Sequence, residues 1–136
     1  AQHYYFMAQC FICIHIDRVD FLMKINLFKT AFYSSFLGIE YLAITPQHIK
    51  IVESFWDKQN HFIAFCTLYV LLSLAYKHLS TRLKVVLLVL VGFQIEITQY
   101  FIPNRFFSLM DIVADCIGIV IGIGIYRVIS KIKTPL

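Results

Sequence analysis

Four acidic residues, Glu40, Glu96, Asp111 and Asp115, lie in or at the edge of long apolar runs, with His61 and Gln99 in similar surroundings. Carboxylates and an imidazole are the groups that exchange protons near neutral pH and that hold cations. An ionisable side chain inside a membrane span costs roughly 2.5–3.5 kcal/mol on insertion scales. Three acids left unpaired there would cost on the order of 8–10 kcal/mol, as much as a whole domain's stability. They are therefore expected to face one another, a cation or a water-filled recess.

Spacing groups them. Gly92, Glu96, Gln99 and Pro103 stand at i, i+4, i+7 and i+11, and Asp111, Asp115, Gly118 and Gly122 repeat those offsets. Asp57, His61, Phe65 or Ala64, and Leu68 likewise share one helical face. Depth agrees: at a rise of about 1.5 Å per residue, Glu96 lies about 10 Å below Pro103 and Asp115 about 9 Å below Leu109. Glu40, ahead of Pro46, comes to a similar level, and Lys58 and Arg105 sit above the acids. The expectation is an outward-opening polar pocket. Glu96, Asp111, Asp115 and His61 form its acid–base cluster, and Asp57, Lys58, Gln99 and Arg105 bind around it.

Each element also has a structural reading. Gly118-x-x-x-Gly122 lets another helix approach closely. Arg105 alone would be an interfacial anchor, His61 a satisfied hydrogen-bonding group, and Asp57 an N-cap. His61 with two aspartates and a glutamate has the chemistry to hold a divalent ion. Its ligands come from three separate runs whose spacing fixes no distances, so no metal is assigned, and the cofactor is unknown.

The elements that must position these groups follow from composition. The chain has 136 residues, room for one domain, with 60% hydrophobic and 15% charged residues and a mean hydropathy of +0.74. A soluble domain has about 45–50% apolar and about 25% charged residues. So small a protein could not hide this much apolar surface in its own core, and lipid is the natural solvent for it. Within lipid a lone strand leaves its backbone unpaired, so the spans are helical. Four runs approach the required length: about 27–45, 56–76, 85–102 and 109–129. The fold class predicted is all-α: an integral membrane protein forming an antiparallel four-helix transmembrane bundle.

Residues 23–136 form the transmembrane domain, and residues 1–22 are read as an N-terminal extension or interfacial segment with no basic start of the secretory kind. With both termini cytoplasmic, Lys24, Lys29, Lys77, Arg82, Lys84, Arg127, Lys131 and Lys133 fall inside, against Lys50, Lys58 and Arg105 outside. The net charge of +4 reflects these flanks and not a nucleic-acid surface. Cys10-x-x-Cys13 is a weak redox or zinc signal beside a reading as apolar filler. No nucleophile elbow, phosphate loop or H-E-x-x-H is present, so no enzyme class is assigned.

The string Asp57-Lys58-Gln59-Asn60-His61-Phe62 resembles the D-K-x-x-H-F signature of the VanZ-like family, named for a teicoplanin-resistance protein. Glu96-Ile97-Thr98-Gln99 matches its E-x-x-Q, and Arg105, Ser108 and Asp111 match its R-x-x-S-x-x-D, with Gly118 and Gly122 following. These matches run in family order over residues 57–122, about half of the chain. One departure stands out: the family usually has Asn where this chain has Asp115, which adds a negative charge. The resemblance implies a bacterial cell-envelope protein of the plasma (inner) membrane, with a link to glycopeptide antibiotic resistance. The leading expectation is binding or modification of a lipid-linked anionic envelope molecule, Lys58 and Arg105 holding the head group. A non-catalytic assembly subunit with a membrane-protein partner, a homo-oligomer, and a small proton- or cation-coupled carrier remain the alternatives.

Overall fold

A computed structural model describes residues 2–45, 50–103 and 105–132, with side chains described for 18–45, 58–103 and 105–132. The described residues form four helices and no strand: α1 (Gln2–Ile44), α2 (Lys50–Ala75), α3 (Thr81–Tyr100) and α4 (Leu109–Ile132).

The helix ends follow local chemistry. Ser80 caps α3, its side chain accepting from the Leu83 N–H at 3.3 Å, so this helix begins four residues before the apolar run at Val85. Lys84 is thereby drawn into the first turn of α3. Its side chain is only 3% exposed, and its ammonium lies 5.4 Å from the centre of the Tyr126 ring on α4. The stem packs along apolar surface while the charge finds an aromatic face. Helix α1 ends at Ile44, just ahead of Pro46, as the steric demand of proline on its predecessor requires.

Helix α1 also runs unbroken through residues 2–22, which the sequence sets apart from the first apolar run. Its 43 residues extend about 65 Å at about 1.5 Å each, twice the thickness of a hydrocarbon core. Only part of α1 can therefore lie beside the other three helices.

Helix α2 is central. Phe65, Leu68, Tyr69 and Leu72 are buried on it, and Leu88 and Ile95 of α3, Ile119 of α4 and Ala43 of α1 close the core around them. Gly118 and Gly122 bring α4 against α2. A Cβ at Gly118 would overlap the Phe62 carbonyl oxygen, and one at Gly122 would lie 2.9 Å from Tyr69 Cβ. At the other end, Tyr33 and Tyr76 share a hydroxyl hydrogen bond of 2.8 Å that ties α1 to the α2–α3 turn.

Helices α3 and α4 are long and apolar enough to cross a membrane, with mean hydropathies of 1.5 and 2.1. Only 33% and 22% of those stretches are buried within the chain. A core helix of a soluble protein would be mostly covered, whereas here Val86, Leu90 and Ile97 of α3 and Val113, Ile117 and Val120 of α4 face outward. An apolar helix with so little protein around it has membrane character.

Candidate functional site

The carboxylates meet at the end of the bundle where α2 and α4 begin and α3 finishes. His61, Glu96, Gln99, Asp111 and Asp115 are all buried there, none more than 7% exposed. His61 Nδ1 lies 2.9 Å from Asp115 Oδ1, and His61 Nε2 lies 3.7 Å from Glu96 Oε1. The Ser108 backbone N–H donates to Glu96 Oε2 at 2.8 Å, so the turn between α3 and α4 folds down over the cluster. Oriented to satisfy both neighbours, the Gln99 amide donates to Glu96 Oε1 at 3.2 Å and accepts from Arg105 Nη1 at 2.7 Å. A polar chain thus runs Arg105, Gln99, Glu96, His61, Asp115 across three helices and a turn.

Helical periodicity builds this arrangement. The buried set on α3 is Lys84, Leu88, Gly92, Ile95, Glu96 and Gln99, and on α4 it is Asp111, Asp115, Gly118, Ile119 and Gly122. Asp111 and Asp115 on α4, and Glu96 and Gln99 on α3, lie toward this end; apolar or glycine positions continue deeper into the bundle, and Lys84 ends the α3 face at the opposite end. Gly92 makes room for the cluster: a Cβ there would lie 2.6 Å from Asp115 Oδ2. That oxygen is buried with no hydrogen-bond partner among the described residues.

Arg105 is positioned differently from a head-group clamp reaching outward. Its Nε donates to the Thr45 carbonyl at 3.1 Å and its Nη2 to the Leu42 carbonyl at 2.9 Å. These are carbonyls at the C-terminal end of α1, where a cation also meets the negative end of the helix dipole. Arg105 therefore fastens α1 to the α3–α4 turn while it holds Gln99. Lys58 is exposed one turn before His61 on α2.

Glu40 stands apart from the cluster. Its Oε2 accepts from Gln94 Nε2 at 3.2 Å, and Gln94 is an exposed residue of α3, two positions from Glu96 and so on a different face. The expected convergence thus brings together Glu96, Asp111, Asp115 and His61 but leaves Glu40 on a neighbouring surface. Instead of an open recess, the four are closed over by protein. Asp57 and the Cys10/Cys13 pair lie outside the residues whose side chains are described. Sequence reasoning missed the Glu40–Gln94 pair, the hold of Arg105 on α1, and the Ser108 N–H. A lone glutamine on an apolar helix four residues before Thr98 carried a faint signal for the first; nothing local carried the other two.

An all-helical chain with two membrane-capable helices around a buried polar network defines the class: a small helical membrane protein with a polar core. The VanZ/LLP1 family model matches residues 9–130, and the chain belongs to the VanZ/LLP1 family. Comparison with curated proteins gives no match, and comparison with solved structures gives none. Membership in this family suggests a cell-envelope membrane protein.

Proposed function

We propose that this chain is a four-span protein of the bacterial plasma membrane, both termini cytoplasmic, that binds or modifies a lipid-linked anionic envelope molecule from the outer side. One observation carries the reading: an imidazole and three carboxylates from α2, α3 and α4 gather in a buried cluster at one end of the bundle. A hydrogen bond between membrane helices stabilises by about 0.6 kcal/mol on average, far less than the roughly 2.5–3.5 kcal/mol of inserting one ionised group. Pairing alone therefore does not repay placing these groups here.

The roles divide by exposure. Lys58 meets the anionic head group at the surface, by charge and hydrogen bonding. Glu96, Asp111, Asp115 and His61 beneath it serve as acid and base or hold a cation. Arg105 and Gln99 keep the cluster in register with α1 and the turn. The segment a ligand must pass to reach the carboxylates is the α3–α4 turn, whose Ser108 N–H covers Glu96.

Native mass spectrometry of the protein purified with its lipids tests this, comparing wild type with Lys58→Ala. Lys58 is the better probe because Arg105→Ala would also release α1. Wild type is expected to retain an anionic lipid or lipid-linked sugar, and the variant to lose it roughly tenfold, the worth of one charge-assisted hydrogen bond. Retention of none in wild type rejects the lipid reading, and equal retention in both rejects Lys58 as the head-group contact.

A further inference from the structure

We propose that His61, Glu96 and Asp111 form a binding site for one divalent first-row transition-metal ion, of the zinc or manganese kind, with Asp115 as the carboxylate that orients the histidine. The inference rests on the reading that this cluster is functional, but not on the identity of the lipid. Each of the three residues offers one donor atom, and these atoms all lie within 4.8 Å of one another. All three side chains are buried. Metal–ligand bonds of about 2.0–2.1 Å set donors about 3.3 Å apart in a tetrahedral site, so an ion would draw this group inward by roughly 1 Å. The His61 Nε2 to Glu96 Oε1 distance of 3.7 Å is already close to that spacing.

The geometry of His61 is a separate indication. Its Nδ1 lies 2.9 Å from Asp115 Oδ1, and an ionised carboxylate there accepts the Nδ1 proton. The nitrogen turned toward Glu96 is then Nε2, which in that tautomer carries a lone pair. A metal-ligating histidine typically has this arrangement, one ring nitrogen donating to a carboxylate and the other facing the ion. Asp115 Oδ2, buried and without a hydrogen-bond partner among the described residues, leaves further negative charge beside the group.

Charge leads to the same ion class. Among the described residues the cluster sets three carboxylates against the Arg105 guanidinium, which reaches it through Gln99. With all three carboxylates ionised and His61 neutral, the remainder is two negative charges, which a divalent cation would cancel. One imidazole nitrogen with two carboxylate oxygens suits zinc or manganese better than the all-oxygen shells of calcium and magnesium. Three protein ligands also leave a coordination position for water or for a phosphate oxygen of the bound molecule.

The test is metal analysis of the full chain in detergent, stripped with chelator and re-equilibrated with equal zinc, manganese, magnesium and calcium. Close to one zinc or manganese ion per chain is expected. In a cobalt(II) titration of the same protein, His61→Ala should weaken binding at least 100-fold and Asp115→Asn by about 10–100-fold. Thr67→Ala, exposed on the same helix, should leave binding unchanged. Should His61→Ala fail to fold, as circular dichroism would report, Asp111→Asn and the wild-type titration decide. A wild type that takes up no ion, or uptake indifferent to Asp111→Asn and Asp115→Asn, overturns the site and leaves His61 hydrogen-bonded within a purely structural polar cluster. Lipid retention measured on the same samples separates the two proposals, since lipid without metal rejects only this one and metal without lipid rejects only the other.

Discussion

At the scale of single residues, one tight contact joins a glycine to a carboxylate. A methyl group at Gly92 would meet Asp115 Oδ2 at 2.6 Å and Phe65 Cζ at 3.6 Å. Asp115 is 1% exposed and its other oxygen is committed to His61, so it cannot swing aside without breaking that bond. Gly92→Ala is expected to cost about 1–3 kcal/mol by overpacking, read as thermal unfolding in detergent by circular dichroism. The cost should act through Asp115 specifically. In an Asp115→Ala background the same change at Gly92 should cost little, because the obstructing oxygen is gone. An equal loss in both backgrounds would show that Gly92 is demanded by something other than the carboxylate.

At the scale of elements, the α2–α4 contact is set by backbone approach. Gly118 has no alternative: its added Cβ would overlap the Phe62 carbonyl and lie 3.1 Å from the Cys66 nitrogen. Backbone atoms cannot yield locally, so the two helices must part. Gly124, with nothing within 4 Å of an added Cβ, is the internal control. Gly118→Ala should lower stability by roughly 1–3 kcal/mol, whereas Gly124→Ala should raise it by up to about 1 kcal/mol through helix propensity. Indistinguishable melting of the two variants would remove the close-approach account of the α2–α4 interface.

The Gly118-x-x-x-Gly122 spacing was legible in the sequence, as were the shared faces of His61 with Phe65 and Leu68 and of Glu96 with Gln99, because period 3.6 along one helix is local information. Which helix the glycines meet was not legible, since spacing fixes a face and says nothing of its neighbour. The apolar run gives no sign that α3 begins at Thr81, since Ser80 as cap admits the charged Lys84 to the first turn. Glu40 was grouped with the cluster by depth alone. Depth gives level but not azimuth, and the side chain turns to Gln94. The contacts of Arg105 with α1 carbonyls 60 and 63 residues away are not legible for the same reason.

At the scale of the whole molecule, the end bearing the cluster must face one side of the membrane, and the charge pattern indicates which. Lys77, Arg82 and Arg127 lie toward the end opposite Lys58 and Arg105, and basic loops are retained in the cytoplasm. If α2, α3 and α4 each cross once, Lys58 and Phe106 lie outside while Lys77 and Ser130 lie inside; all four are exposed in the chain and accessible to a reagent. In a background with Cys10, Cys13, Cys66 and Cys116 replaced, single cysteines at these four positions are probed with a membrane-impermeant maleimide on intact cells. Positions 58 and 106 should label at once, and positions 77 and 130 only after lysis. Labelling of 58 and 77 from the same side would mean that α2 does not cross. The carboxylates would then lie outside the hydrocarbon core, the membrane-insertion cost would no longer apply to them, and the energetic case for a functional cluster would rest on burial within the protein alone.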